Sequence, residues 1–118
     1  MLVPLALIAA VLGGLVTLWL AVDFARDPEA AMRRATHRPE MLPRVMVGRY
    51  AAFTALAFGA AAYGDLTVVI FLFAVFAGIC AWDAALYARA GRPWAAHGAA
   101  GVGCLIVIAL AAAARAAA

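Results

Sequence analysis

The stretch "LTVVIFLFAVFAGICAW", residues 66–82, decides the fold, because it contains no charged residue and only one hydroxyl group. The apolar character continues to Ala88 and is broken by a single charged residue, Asp83. A helix rises about 1.5 Å per residue, and the hydrocarbon core of a bilayer needs about 20 helical residues. The sequence therefore predicts a transmembrane helix over residues 66–88.

Three further apolar segments flank this helix, and each is also long enough to cross a bilayer. They cover approximately residues 2–25, 45–63 and 94–114. The hydrophobic share of the chain is 69%, whereas soluble domains contain about 45–50%. A soluble domain of 118 residues cannot bury that much apolar surface. We predict an all-α polytopic membrane protein, with residues 1–118 forming a single membrane domain, an antiparallel bundle of four transmembrane helices.

Arginines are distributed unevenly among the connections between these segments. The basic connection at residues 26–44 carries five of the nine arginines and residues 89–93 carry two, while the Gly64-Asp65 link has none. Arginine-rich connections stay in the cytoplasm, so both termini are expected on the outer side. The first segment lacks a basic start and a clear cleavage site, which argues against a signal peptide. The absence of Ser, Asn, Gln and Lys indicates a GC-rich, bacterial genome, and hence the bacterial inner membrane.

The connection at residues 26–44 carries signals for a short helix of its own. Asp27 is a suitable N-cap, Pro28 suits the first helical position, and Glu29 complements the positive end of the helix. Such a helix would lie along the membrane surface with its arginines near lipid phosphates. The predicted headgroup contacts are Arg33, Arg34 and Arg38. A plain solvated linker is the alternative.

Each predicted span brings one ionisable group to its cytoplasmic end: Asp23, Arg49, Asp83 and His97. One interpretation is structural, because Arg49 paired with either aspartate would offset the cost of placing a charge in the membrane. A second is a polar pocket open to the cytoplasm, in which a carboxylate orients His97. Such a pocket would bind a quinone head, a small acid or a proton. The third is that these charges never meet.

Catalysis by the chain itself is not expected. Serine nucleophiles and lysine Schiff bases are excluded because neither residue occurs. The cysteines Cys80 and Cys104 form no CxxC pair, and His37 and His97 lack the spacing of metal ligands. We predict no catalytic residue and no metal site, and quinone or lipid as the candidate cofactors.

The order of short motifs resembles the DoxX-like group of small four-helix membrane proteins, in an uncharacterised branch of similar length. The segments are "DPEAAMRR" at 27–34, "GRYAAF" at 48–53, "WDAALYARAGRP" at 82–93 and "HGAAG" at 97–101. The matching positions are Arg49, Asp83, Gly91, His97 and Gly98. The resemblance implies a left-handed antiparallel bundle of four helices. Some relatives are implicated as membrane subunits of sulfur or quinone oxidoreductases, but the group shares no single activity.

Two functions therefore compete. The first is a non-catalytic accessory or structural subunit of a larger membrane assembly, with lipid, other subunits or further copies of the chain as partners and no nucleic acid. The alternative is a DoxX-like protein that binds a small ligand or quinone in the polar pocket. Small multidrug and fluoride exporters share the four-helix length, but this chain has no mid-membrane acid in its first span, no Asn, and a one-sided arginine bias.

Overall fold

Five α-helices and one short 3-10 turn make up most of residues 2–118, the part of the chain that this computed structural model describes. The helices are α1 (Leu2–Arg26), α2 (Pro28–Arg34), α3 (Leu42–Tyr63), α4 (Leu66–Arg89) and α5 (Ala95–Ala117), and the 3-10 turn is Pro39–Met41. The described residues include no strand. The predicted all-α class is confirmed.

Four of these helices, α1, α3, α4 and α5, are long and apolar enough to cross a membrane. On α1 the exposed side chains include Leu7, Ile8 and Val16, which point in different directions around the helix and are 63%, 56% and 59% exposed. A helix that is apolar all round requires hydrocarbon or protein on every side. The chain is therefore a multi-pass membrane protein.

The observed helix ends lie close to the predicted ones, and the largest differences have a local cause. The second span begins at Leu42, three residues earlier than predicted. Pro43 falls in its first turn, where the missing proline N–H has no intrahelical partner to lose. The 3-10 turn Pro39–Met41 leads directly into this helix. The last span continues to Ala117, because alanine is the best helix former.

The chain divides into two compact units, Met1–Gly48 and Arg49–Ala118. In the N-terminal unit, α2 packs against α1 after a single intervening residue, Asp27. The Asp27 carboxylate accepts a hydrogen bond of 2.9 Å from the backbone N–H of Ala30, so the predicted cap and the predicted short helix are confirmed. Ala31 on α2 is only 1% exposed, which shows how closely the two helices approach.

In the C-terminal unit, α4 and α5 pack along each other in opposite directions. His97 faces Asp83 near the start of α5, while further along α5 a Cβ atom built on Gly101 would lie 3.4 Å from Cβ of Cys80. Residues that are later on α5 thus contact residues that are earlier on α4, which is antiparallel packing. Small residues at such crossings allow the backbones to approach, and close packing drives association in lipid.

The two-residue link between α3 and α4 has the geometry of a tight helix-to-helix turn. Gly64 ends α3 with a φ of 78°, a left-handed conformation that glycine adopts without steric cost. Asp65 then caps α4, because its carboxylate accepts a hydrogen bond of 2.7 Å from the backbone N–H of Thr67.

The Asp65 cap predicts a pH dependence. The hydrogen bond from Thr67 N–H lowers the pKa of the Asp65 carboxyl below its ordinary value of 3.8. A carboxyl whose pKa is lower in the folded state stabilises the fold above its unfolded pKa, and this contribution is lost as the pH falls through the folded pKa. We expect Asp65→Ala to lower the melting temperature of the detergent-solubilised chain near neutral pH. The difference in melting temperature between the variant and wild type should become smaller below a pH of about 3.8. If the difference in melting temperature is the same at neutral and strongly acidic pH, the Asp65 carboxylate does not stabilise the fold as the cap of α4.

Candidate functional site

The Asp83 carboxylate and the His97 imidazole lie side by side where α4 and α5 meet. Oδ2 of Asp83 is 3.8 Å from Nδ1 of His97, and the two side chains are 40% and 30% exposed. This distance exceeds that of a hydrogen bond, so the two groups are neighbours without a direct hydrogen bond. Of the four ionisable residues predicted to share one level, these two are brought together.

Tyr87 completes this cluster, and its role was not predicted from the sequence. The ring centroids of Tyr87 and His97 are 4.7 Å apart, with their planes inclined by 47°. Tyr87 follows Asp83 by four residues, so both side chains lie on the same face of α4. That spacing was the available signal. We call Asp83, Tyr87 and His97 the corner cluster.

The turn between α4 and α5 fixes the position of the corner cluster. Gly91 has a φ of 64°, and the N–H of Arg92 donates a 2.8 Å hydrogen bond to the carbonyl of Tyr87, which closes the end of α4 in the manner of a Schellman motif. A Cβ atom on Gly98 would lie 3.1 Å from the indole ring of Trp94. Gly98 therefore leaves room for Trp94 to pack over the first turn of α5, beside His97.

A groove of about 380 Å³ runs between α4 and α5 from the corner cluster. Its lining consists mainly of small and aliphatic side chains, together with the imidazole of His97 and the thiol of Cys80. Binding sites for small molecules are typically apolar, with a few polar groups that orient the ligand. The groove can accept an apolar body while His97 contacts a polar head.

In the N-terminal unit, Asp23 pairs with Arg34. Nε of Arg34 donates a 3.0 Å hydrogen bond to Oδ2 of Asp23, and a terminal guanidinium nitrogen donates a second bond to Oδ1. The hydrogen bonds to Asp23 raise the pKa of Arg34 above its ordinary value. The sequence analysis proposed Arg49 as a partner for Asp23 or Asp83; in the structure Asp23 pairs with Arg34, and Asp83 faces His97.

The Asp23–Arg34 pair predicts how firmly α2 is held. Arg34 is the last residue of α2, and Asp23 lies in the last turn of α1. The two hydrogen bonds therefore connect the C-terminal end of α2 to α1. We expect Arg34→Gln to accelerate amide hydrogen exchange in α2 while leaving exchange in α5 unchanged. Arg44→Gln, which removes the same charge from the same unit, serves as the control. Equal exchange rates in wild type and Arg34→Gln would show that the pair does not hold α2.

The other two arginines predicted to contact headgroups, Arg33 and Arg38, lie together. With Thr36 and His37 they line a recess of about 240 Å³ at the end of α2. The His37 ring is 6.3 Å from the ring of Phe24 on α1. We call these four lining residues the basic recess.

Within residues 2–118, no three His, Cys, Asp or Glu side chains are placed to share a metal ion. Cys80 and Cys104 are free thiols of intermediate burial. No protein-family model, curated protein or solved structure matches this chain. Function must therefore be inferred from the geometry and chemistry of the sites themselves.

Proposed function

We propose that this chain is a DoxX-like protein of the bacterial inner membrane that has no catalysis of its own and serves as an accessory or structural subunit of a larger membrane assembly. The supporting observation is that every span presents large, exposed apolar side chains. Leu15, Phe58, Phe71 and Leu110, one on each span, are 54%, 73%, 71% and 67% exposed. Such surfaces require lipid or a partner helix.

The proposed orientation follows from the arginines. With four spans, the connections at 27–41 and 90–94 lie on one side of the membrane, and Gly64-Asp65 lies on the other. Seven arginines lie in the first two connections or within three residues of them, namely Arg26, Arg33, Arg34, Arg38, Arg44, Arg89 and Arg92. The positive-inside rule places that side in the cytoplasm and both termini in the periplasm.

Purification from native membranes tests the subunit proposal. The tagged chain is extracted in a mild detergent and its mass is measured by native mass spectrometry. We expect an assembly that contains a second protein or further copies of the chain. Membranes that lack the tagged chain control for proteins that adhere to the resin. A solitary monomer, with or without bound lipid, would contradict the proposal.

A second candidate function is binding of a small ligand or quinone at the corner cluster. The observation that favours it is the position of His97, which both faces Asp83 and lines the groove between α4 and α5. A quinone has the matching chemistry, because its carbonyl oxygens accept hydrogen bonds from an imidazole N–H while its ring and tail are apolar. Small acids match a protonated His97 in the same way.

Ligand-induced thermal stabilisation tests this second candidate, with a short-chain ubiquinone and a small aliphatic carboxylic acid as probes. We expect His97→Ala to weaken binding about tenfold, since one hydrogen bond to a charged or polar head contributes about 1.4 kcal/mol. His37→Ala, which removes the other histidine, is the matched control, and Arg49→Ala tests whether Arg49 contributes. If His97→Ala and wild type bind both probes equally, the corner cluster is not a ligand site.

A further inference from the structure

The basic recess in the N-terminal unit concentrates positive charge around an open volume. Arg33 and Arg38 both line it, and it holds about 240 Å³, several times the roughly 30 Å³ that one water occupies in the liquid. Neither arginine takes part in the two ion pairs formed within residues 2–118. Two arginines thus line one space that is large enough for a polyatomic anion.

Backbone hydrogen bonds at the end of α2 shape this recess. The N–H of Thr36 donates to the carbonyl of Arg33 at 3.1 Å, and the N–H of His37 donates to the carbonyl of Met32 at 2.9 Å. Thr36 has a φ of 58°, a left-handed conformation that is uncommon for a β-branched residue. This reversal brings the residues after α2 back toward Arg33, so that residues on both sides of the turn line one recess.

Two of the carboxylates in the N-terminal unit are already hydrogen-bonded. The Asp23 carboxylate accepts two hydrogen bonds from Arg34, and the Asp27 carboxylate accepts one from the N–H of Ala30. The carbonyls of Met32 and Arg33, in the last turn of α2, accept the two backbone bonds that close the turn. The lining of the recess itself contains two arginines and no carboxylate.

We propose that the basic recess binds a phosphate group, with Arg33 and Arg38 as its principal ligands. Guanidinium groups present planar forks of N–H donors that match phosphate oxygens, and charge-assisted bonds of this kind are about twice as strong as neutral ones. The ring of His37, held near Phe24, adds an N–H donor to the lining. The Thr36 hydroxyl donates to the Ala35 carbonyl at 2.7 Å, so Thr36 shapes the wall and supplies no donor of its own.

The position of the recess indicates which phosphates reach it. Span α1 ends at Arg26, and α2 begins at Pro28 and turns back against α1. The recess therefore lies within a few residues of the membrane surface, at the level of lipid headgroups. An anionic lipid phosphodiester and a free phosphate present the same oxygen chemistry, and the two sources differ only in the attached chains. This site belongs to the N-terminal unit alone and does not depend on the function proposed above.

Binding of short-chain phosphatidylglycerol to the full chain in detergent tests the proposal, with short-chain phosphatidylcholine and inorganic phosphate as parallel probes. We expect Arg33→Gln/Arg38→Gln to bind phosphatidylglycerol at least about tenfold more weakly than wild type. Arg26→Gln/Arg44→Gln removes the same charge from the same unit and should bind as wild type does. Competition by inorganic phosphate would assign the site to phosphate in general, whereas binding of the lipid alone would assign it to headgroups.

The results that would overturn the proposal are equally defined. An equal loss in both double variants would show diffuse attraction by net charge, and undiminished binding in Arg33→Gln/Arg38→Gln would exclude the recess. Circular dichroism checks that each variant keeps its helices. Should the glutamine double variant fail to fold, Arg33→Lys/Arg38→Lys retains the charge but loses the planar forks. That variant is then expected to bind severalfold more weakly than wild type, and unchanged affinity would also overturn the proposal.

Discussion

Leu15→Arg is expected to raise the apparent free energy of inserting α1 by about 2.5–3.5 kcal/mol. Leu15 is 54% exposed and lies eleven residues before the end of α1 at Arg26, about 16 Å deeper along the helix. A guanidinium at that depth cannot reach water without distorting the bilayer. On a water-exposed helix, the same change would remove an exposed leucine and leave stability nearly unchanged, so the substitution separates the two environments.

The insertion can be measured in microsomes. Because the chain contains no asparagine, one Asn-X-Thr acceptor added before Met1 is the only glycosylation site, and it is modified only when the N-terminus crosses the membrane. Val22→Arg is the matched control, since Val22 lies about 6 Å from Arg26 along the helix, within reach of the interface for a long side chain. Equal glycosylation of Leu15→Arg and Val22→Arg chains would contradict a lipid-embedded α1.

Gly101→Leu is expected to destabilise the α4–α5 pair by about 1–3 kcal/mol, the usual cost of overpacking. A Cβ atom on Gly101 would already lie 3.4 Å from Cβ of Cys80, which is ordinary contact, and the three further carbon atoms of leucine would have to displace Cys80 or turn into the groove that Gly101 helps to line. Gly101→Ala should therefore be tolerated, while leucine disturbs the packing of α4 against α5. The free energy of unfolding can be measured by titrating the detergent-solubilised chain with dodecyl sulfate.

Gly103→Leu is the control for this prediction. It lies on the same helix and changes helix propensity equally, yet a Cβ atom at Gly103 would meet nothing within 4 Å. Its free energy of unfolding should equal or exceed that of wild type, since leucine is a better helix former than glycine. If Gly101→Leu and Gly103→Leu unfold alike, then close packing at Cys80 does not hold α4 against α5.

The positions of the spans follow from sequence because uninterrupted apolar length is a sufficient signal in a membrane protein. The N-cap of α2 was equally predictable from the sequence, since Asp27 and Pro28 act on the backbone next to them. The Asp23–Arg34 pair was not predicted. These residues are eleven positions apart, and they meet only because the chain reverses at Asp27, a reversal that no local pattern specifies.

The sequence predicts the level in the membrane at which the corner cluster lies, but not which of its side chains face each other. The rise of a helix places Asp83 and His97 at one level on consecutive antiparallel spans. Which side chains then face each other depends on the rotation of each helix about its axis. Spans that are apolar on all sides carry little information about that rotation, which is why the sequence offered Arg49 as a partner for Asp83 and the structure pairs Asp83 with His97.

The central claim is that four helices cross a membrane, with the arginine-rich connections together on the inner side. It is tested most directly by labelling single cysteines in intact cells with a membrane-impermeant maleimide, in a Cys80→Ala/Cys104→Ala background. Tyr63→Cys and Ala118→Cys should be labelled from outside, and Thr36→Cys and Arg92→Cys only after the membrane is permeabilised. Labelling of Thr36→Cys or Arg92→Cys in intact cells would contradict the account.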